Sequence, residues 1–246
     1  MTAKPKTRAV KKAAPDPLPP APLWRRGLAW LWRGLALIVL FYLCLILLFS
    51  FLPPPGNIYQ WQESWRLGGI KRAWVNFDDI APEMARSVVA AEDANFCLHW
   101  GFDMAAIREA IDSGGQRGAS TISQQVVKNV FLWQNRSWVR KAMEAALTPV
   151  VELVWSKQRI LEMYLNQAEF AEGVFGVQAA AQTLFGVDAR DLTPTQSARL
   201  AAVLPNPKEY SASKPGSYVR NRARQITSGA DTIKADGRAA CFEVAD

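Results

Sequence analysis

The stretch "PEMARSVVAAEDANFCLHWGFD", residues 82–103, opens a run of helical patterning that continues to residue 204. On a helix over 83–96, Ala85, Val88, Val89, Glu92 and Phe96 share one stripe, and that stripe is otherwise apolar. No Lys or Arg lies three or four residues from Glu92. Such a carboxylate is either satisfied by a buried donor or held against an apolar wall. The wall would raise its pKa and make it a better proton acceptor near neutral pH. Periodicity does not choose between the two. Asp93 projects to a neighbouring face, suited to orienting the surroundings of Glu92 or accepting N–H groups at the next turn. His99 is the only histidine, and no Ser or Cys constellation surrounds it, so it reads as a structural hydrogen-bonder.

Further helices are expected over 103–112, 121–132, 138–155, 157–166, 173–184 and 194–204, with Gly and Pro at the joints and Pro149 bending or ending one of them. Strand-type alternation is scarce, apart from a short extended piece at "RAWVNF", residues 72–77. The fold class is therefore all-α. In "RGASTISQQVVKNVFL", residues 117–132, Thr121 and Gln124 match a capping box, so a helix begins near Thr121. Gln124, Gln125, Lys128 and Asn129 share its polar face. That face is either merely solvated or a set of donors for a sugar or phosphate. In "NRSWVRKAMEAAL", residues 135–147, Arg136 precedes a helix capped by Ser137. Glu144 falls four residues after Arg140 and three after Lys141, which a surface ion pair explains. In "KQRILEMYLNQAEF", residues 157–170, Ile160, Leu161, Tyr164 and Leu165 form a core stripe, and Glu162 can pair with Arg159.

Toward the N-terminus the composition changes. The chain has 246 residues and a formal charge of +7, with 29 Lys and Arg against 22 Asp and Glu. Residues 1–33 hold eight of the basic residues and one acid, so the remainder is neutral overall and a nucleic-acid partner loses its support. Gly34 to Leu52, "GLALIVLFYLCLILLFSFL", is free of charge and spans roughly 28 Å as a helix, close to a bilayer core. The basic flank places the N-terminus in the cytoplasm and the rest outside. Trp24, Trp30, Trp32 and Tyr42 suit an interfacial belt. "FSFLPPPG" is a poor cleavage site, which favours an uncleaved anchor over a signal peptide. The expected organisation is a basic, partly disordered cytoplasmic tail (1–33), a transmembrane helix (34–52), a linker (53–80), a compact helical domain (81–226) and a loose polar tail (227–246). Cys97 and Cys241 would both face an oxidising space, and sequence leaves open whether they pair. One histidine cannot build a zinc site, and no metal-ligand spacing is present.

The four motif stretches, in this order, resemble the peptidoglycan glycosyltransferases of family 51, and the resemblance covers residues 58–226. The family pattern Glu-Asp-x-x-Phe-x-x-His-x-Gly is met by Glu92, Asp93, Phe96, His99 and Gly101. Gly118, Ser120, Thr121, Ile122, Gln124, Gln125, Lys128 and Asn129 meet the second motif. Arg140, Lys141 and Glu144 meet the third, and Ile160, Leu161, Tyr164, Leu165 and Asn166 the fourth. With one membrane span and no transpeptidase domain, the chain resembles the monofunctional type.

The resemblance implies a lysozyme-like helical domain with a membrane-associated jaw and a cleft. It implies lipid II and the nascent lipid-linked glycan as substrates, joined by β-1,4 bonds with inversion. It also implies the bacterial inner membrane as location, with the catalytic domain periplasmic and other cell-wall synthesis or division proteins as partners. By position, Glu92 matches the general base, and Glu144 the second acid, assigned to diphosphate or metal binding. Lys128 and Arg136 match the cations facing the diphosphate. Gln124, Gln125, Asn129, Ser120, Thr121 and Arg140 fall among the substrate-binding positions, with Asp93, Phe96 and His99 as supports of the base. A divalent cation, Mg²⁺ or Mn²⁺, is expected, and no organic cofactor. Three positions depart from the family: Gln178 and Gln196 stand where Glu is expected, and Ala119 where a second Gly is expected. Two other readings stay open, a lysozyme-like lytic enzyme and a catalytically weak membrane scaffold.

Overall fold

A computed structural model describes residues 23–114, 118 and 120–243. Residues 1–22, most of the expected cytoplasmic tail, and Ala119 lie outside the described residues. The chain divides into two units, residues 1–43 and Cys44–Asp246. Helix α1, Leu23–Phe51, begins well before the expected residue 34, because the Trp- and Arg-containing flank is itself helical. Its stretch Trp24–Phe51 is long and apolar enough to cross a membrane, and Pro53 to Pro55 follow its end.

The second unit is helical, as expected. It contains α2 (Ile58–Leu67), α3 (Pro82–Glu92), α4 (Met104–Asp112), α5 (Ile122–Phe131), α6 (Trp138–Val154) and α7 (Lys157–Gln167). After them come α8 (Val177–Phe185), α9 (Pro194–Val203) and α10 (Ser217–Ala235). A small sheet joins β1 (Lys71–Arg72), β2 (Glu169–Ala171) and β3 (Val174–Phe175) in the order β1-β3-β2. Strand β1 runs parallel to β3 with Lys71 opposite Val174, and β2 runs antiparallel with Glu169 opposite Phe175. The expected extended piece continues past β1, where the Asn166 side chain bonds both the N–H and the C=O of Val75 in place of a neighbouring strand.

Two groups of helices make the core. Helix α3 packs on α9 and α10, and α5 packs between α6 and α7. Met84, Val88, Leu200 and Ile226 fill the first group, and Val127, Ile160 and Leu161 the second, all buried.

Several expected boundaries move. The first helix ends at Glu92, not 96, because Asp93 leaves helical geometry (φ −162°, ψ 70°) and Phe96 belongs to a separate short turn. The helix expected from 173 starts at Val177. Gly173 turns the chain between β2 and β3, and Gly176 adopts φ +84°, where a Cβ would lie 3.0 Å from the Asn166 carbonyl. The linker expected over 53–80 contains α2, capped by the Asn57 side chain accepting from the Gln60 N–H.

The tail expected from 227 is no tail. Helix α10 runs straight through that boundary, and Ile226, Ala230 and Ile233 form one buried stripe. Beyond it, Cys241 is disulfide-bonded to Cys97 across a separation of 144 residues, with Cα atoms 5.5 Å apart. Phe242 packs on Phe96 at 6.4 Å between ring centroids. Arg238 donates to the Ala94 carbonyl at 3.1 Å. Buried Arg86 pairs with Glu243 at 2.6 Å. The C-terminal segment is thus fastened to the turn that follows Glu92.

Candidate active site

Asp93 builds the junction on which the site rests. One carboxylate oxygen accepts the Ile122 N–H, the first of α5, at 3.0 Å. The other lies 2.9 Å from His99 Nε2. An acid at a helix N-terminus satisfies an otherwise orphaned donor and faces the positive end of the helix dipole. Phe96, fully buried, packs edge-on against His99, and Lys157 sits 4.4 Å above its ring. Gly101 is required below: it adopts φ +81°, and a Cβ would meet Thr148 Cγ2 at 2.5 Å. These contacts tie the end of α3 to the start of α5.

Helix α5 then aims its polar face at Glu92. Gln125 Nε2 donates to Glu92 Oε2 at 2.9 Å, and the buried Tyr164 hydroxyl on α7 reaches Gln125 Oε1 at 3.4 Å. Glu92 itself is half-buried. Burial pushes its pKa up, and the Asp93 charge adds to this; the Gln125 amide, Arg222 and Lys128 oppose it. One turn along α5, Lys128 is half-buried and its pKa is lowered, first by burial, with Arg140 and Lys141 adding to the effect and Glu144 and Glu92 opposing it. Among the described residues, Lys128 has no carboxylate within ion-pair distance. Gln125, Lys128, Asn129, Tyr164, Gln167 and Lys208 line a cleft of about 370 Å³. Asn129 Oδ1 accepts from Gln134 Nε2 at its edge, at 3.1 Å.

The remaining expected residues divide. Arg136 is exposed on the turn before α6. Arg140 donates to Glu144 at 2.6 Å, and Lys141 is bonded to the other Glu144 oxygen. The pair is not a surface one, because Glu144 is only 3% exposed. Its carboxylate is occupied in holding two cations near Lys128. Thr121 and Gln124 close the capping box and are buried, and the Thr121 hydroxyl donates to the Gly101 carbonyl at 2.7 Å. They start α5 and do not line the cleft. Ser120 is exposed just ahead of the cap. Among the described residues no group of three or more His, Cys, Asp or Glu is arranged to hold a metal ion. With both Glu144 oxygens engaged, the donor set does not fit a resident divalent cation.

Sequence reasoning missed Arg222. Helix α10 brings it to the Ala91 carbonyl, 3.1 Å away, where its charge is felt by Glu92. No local pattern marks it, since Arg222 lies 131 residues downstream of Ala91. Tyr164 and Gln167 enter the cleft from α7, where their three-residue spacing was the one available signal.

The two Gln departures have plain structural causes. Gln196 is the third helical residue of α9 and completes a capping box with Thr193, a role that Glu and Gln fill equally. Gln178 donates to Asp188 at 2.8 Å and accepts the Ala189 N–H at 2.9 Å. An amide serves both partners; a carboxylate would face another carboxylate. Neither residue lines the cleft.

Known proteins carry the same pattern. A family model described as Transglycosylase matches residues 61–230. A protein of Jannaschia sp. (strain CCS1) named "Biosynthetic peptidoglycan transglycosylase" is 62% identical over 213 residues, covering 87% of this chain and 89% of its own. Relatives of the same name from Xanthomonas campestris pv. campestris (strain B100) and Pseudomonas entomophila (strain L48) are each 48% identical, covering 87% and 82% of this chain and 91% and 86% of their own. With the family model spanning most of the folded unit, the chain belongs to the biosynthetic peptidoglycan transglycosylases, the monofunctional glycosyltransferases of family 51.

Proposed function

We propose that this glycan polymerase of peptidoglycan synthesis uses Glu92 as its general base and Lys128 with Arg136 as its leaving-group clamp. The observation that carries the reading is one half-buried carboxylate of raised pKa, bonded to Gln125 on the same helix face as an unpaired Lys128. Glu92 takes the proton of the acceptor lipid II 4-hydroxyl as its oxygen attacks the anomeric carbon of the lipid-linked donor chain. The bond from that carbon to the diphosphate breaks on the opposite face, which inverts the centre. Undecaprenyl diphosphate leaves as an anion, so it needs positive charge more than it needs a proton. Glu144 acts through Arg140 and Lys141, keeping two further cations beside the same site.

A glycosidase pairs the carboxyl group that protonates the leaving sugar with a second, free carboxylate that activates water or attacks the anomeric carbon. Here the second acid is saturated by Arg140 and Lys141. The scaffold reading rested on Gln178 and Gln196, and both have structural roles. Membrane association is supported twice. Helix α1 has the length of a span. The outer face of α6 is free of charge, exposing Trp138, Val139, Ala142, Ala146, Pro149 and Leu153, as a membrane-facing jaw would. The Cys97–Cys241 bond supports the oxidising, periplasmic side for the folded unit. The basic N-terminal flank supports a cytoplasmic N-terminus.

The test is turnover of labelled lipid II by the purified full-length protein in detergent with Mg²⁺. Polymer is expected, with at least a roughly 10²–10⁴-fold loss in Glu92→Gln. Near-normal polymerisation by that variant, or cleavage of finished glycan by the wild type, overturns the proposal.

A further inference from the structure

The C-terminal end of α1 and the segment after it are built into the folded unit. Ile46 is fully buried, although its neighbours Cys44, Leu47 and Leu48 are exposed. Trp155 Nε1 donates to the Ile46 carbonyl at 2.8 Å. Arg159 donates from Nε and Nη2 to the Phe49 carbonyl at 3.2 and 2.9 Å, and from Nη2 to the Leu52 carbonyl at 2.9 Å. The last carbonyls of a helix lack intrahelical partners and carry its negative end, so a guanidinium there both caps and attracts. Glu162 holds the remaining Arg159 nitrogen at 3.0 Å. Phe49 packs on Phe131, which packs on Trp155 (6.1 and 5.8 Å between centroids). Further along, Arg72 donates to the Pro54 and Pro55 carbonyls, both at 2.6 Å, and Asn57 donates to Gln167 at 2.9 Å. Every few residues from 46 to 57 are thus bonded to the domain, and no slack linker exists.

The helices that hold this segment also carry the cleft. Phe131 lies three residues beyond Lys128 on α5. Arg159 shares α7 with Tyr164, whose hydroxyl reaches Gln125. We infer that Arg159 is a positioning residue: by clamping the end of the membrane helix it fixes the cleft at a set height above the bilayer. The inference rests on the reading that α1 crosses the membrane and that the substrates are lipid-linked. A diphosphate sits at a defined depth in the interface, so a cleft free to tilt on its anchor would meet it less often in a reactive geometry. A displacement of about 1 Å is enough to cost up to about 10²-fold in rate.

The experiment compares Arg159→Gln and Trp155→Phe with wild type in two media, detergent micelles and phospholipid vesicles carrying lipid II. A micelle offers no fixed plane, so micellar turnover stays near wild type, while vesicle turnover falls roughly tenfold or more. Equal losses in both media, or none in either, overturn the inference. A second pair of variants guards against misfolding. Replacing residues 23–43 by an unrelated apolar helix should leave vesicle turnover intact, and replacing 44–52 should lower it; the reverse order refutes the clamp. Amide exchange over residues 46–57, slow in wild type and fast in Arg159→Gln, reads the clamp without activity. Absence of wild-type turnover in both media would count against the proposed function, and the exchange result would still decide the clamp.

Discussion

Replacing Gln125 by Met removes the amide that donates to Glu92 at 2.9 Å and keeps a side chain of similar length. A hydrogen bond to a charged group contributes about 1.5–3 kcal/mol, and one pKa unit corresponds to about 1.4 kcal/mol. Lost outright, the bond would disfavour the ionised carboxyl by that amount relative to the protonated one, which raises the Glu92 pKa further. Glu92 is half-buried, so water replaces part of the bond, and the lower end of that range, about 1.5 kcal/mol, is expected. The direction follows from the balance at Glu92. Burial already raises its pKa, and Gln125 is the first influence that lowers it. Removing the donor leaves the carboxyl protonated up to a higher pH. The acid limb of kcat/KM should therefore move to higher pH, with roughly tenfold less turnover below it and little change on the plateau. Tyr164 also loses its partner on Gln125, so Gln125→Met is paired with Tyr164→Phe to remove the stranded hydroxyl. The assay is the initial rate of labelled lipid II polymerisation across pH. An acid limb that stays in place, or a loss that is uniform with pH, would refute the role given to Gln125.

Glu92→Gln should also stabilise the fold. Because the native carboxyl binds its proton more tightly than the unfolded one, wild type loses stability as pH rises from the unfolded value, about 4.3, through the raised native value. The variant should melt higher than wild type at neutral pH and equally at acid pH in a thermal scan. Breaking the disulfide with Cys97→Ser and Cys241→Ser frees a loop of 144 residues, with an expected loss of about 2–5 kcal/mol by denaturant titration. Reductant should reproduce that loss in wild type and have no effect on the variant. Gln178→Glu places a carboxylate against Asp188, so the melting temperature should fall at neutral pH and recover as the acids protonate, while lipid II turnover is unchanged. Reduced turnover at full stability would return Gln178 to the site.

Much of this chemistry was legible because it is local. The capping box at Thr121 depends on residues three apart, and it is present. The polar face of α5 follows from helical spacing, and the span of α1 from composition alone. What misled the reading was also local. Asp93 leaves the helix for partners on His99 and Ile122, the latter 29 residues on, so the periodicity that carried the first helix to 96 had no means of seeing its end. Helices α2 and α10 were hidden by polar composition. The first exposes Trp61 and Trp65, and the second buries a narrow stripe.

By itself the sequence determined a membrane-length apolar helix, a following run of helices, and the order of the acidic, amide and basic residues of the family motifs. Those properties depend on neighbours a few residues away. Only the tertiary structure decided that Glu144 is buried beneath two cations, that Arg222 stands near Glu92, and that Thr121 and Gln124 serve the fold. It alone closed Cys97 onto Cys241 and seated the end of α1 on Arg159. Each of those outcomes depends on groups brought together across the chain, and their strength is set by burial, which linear spacing does not encode.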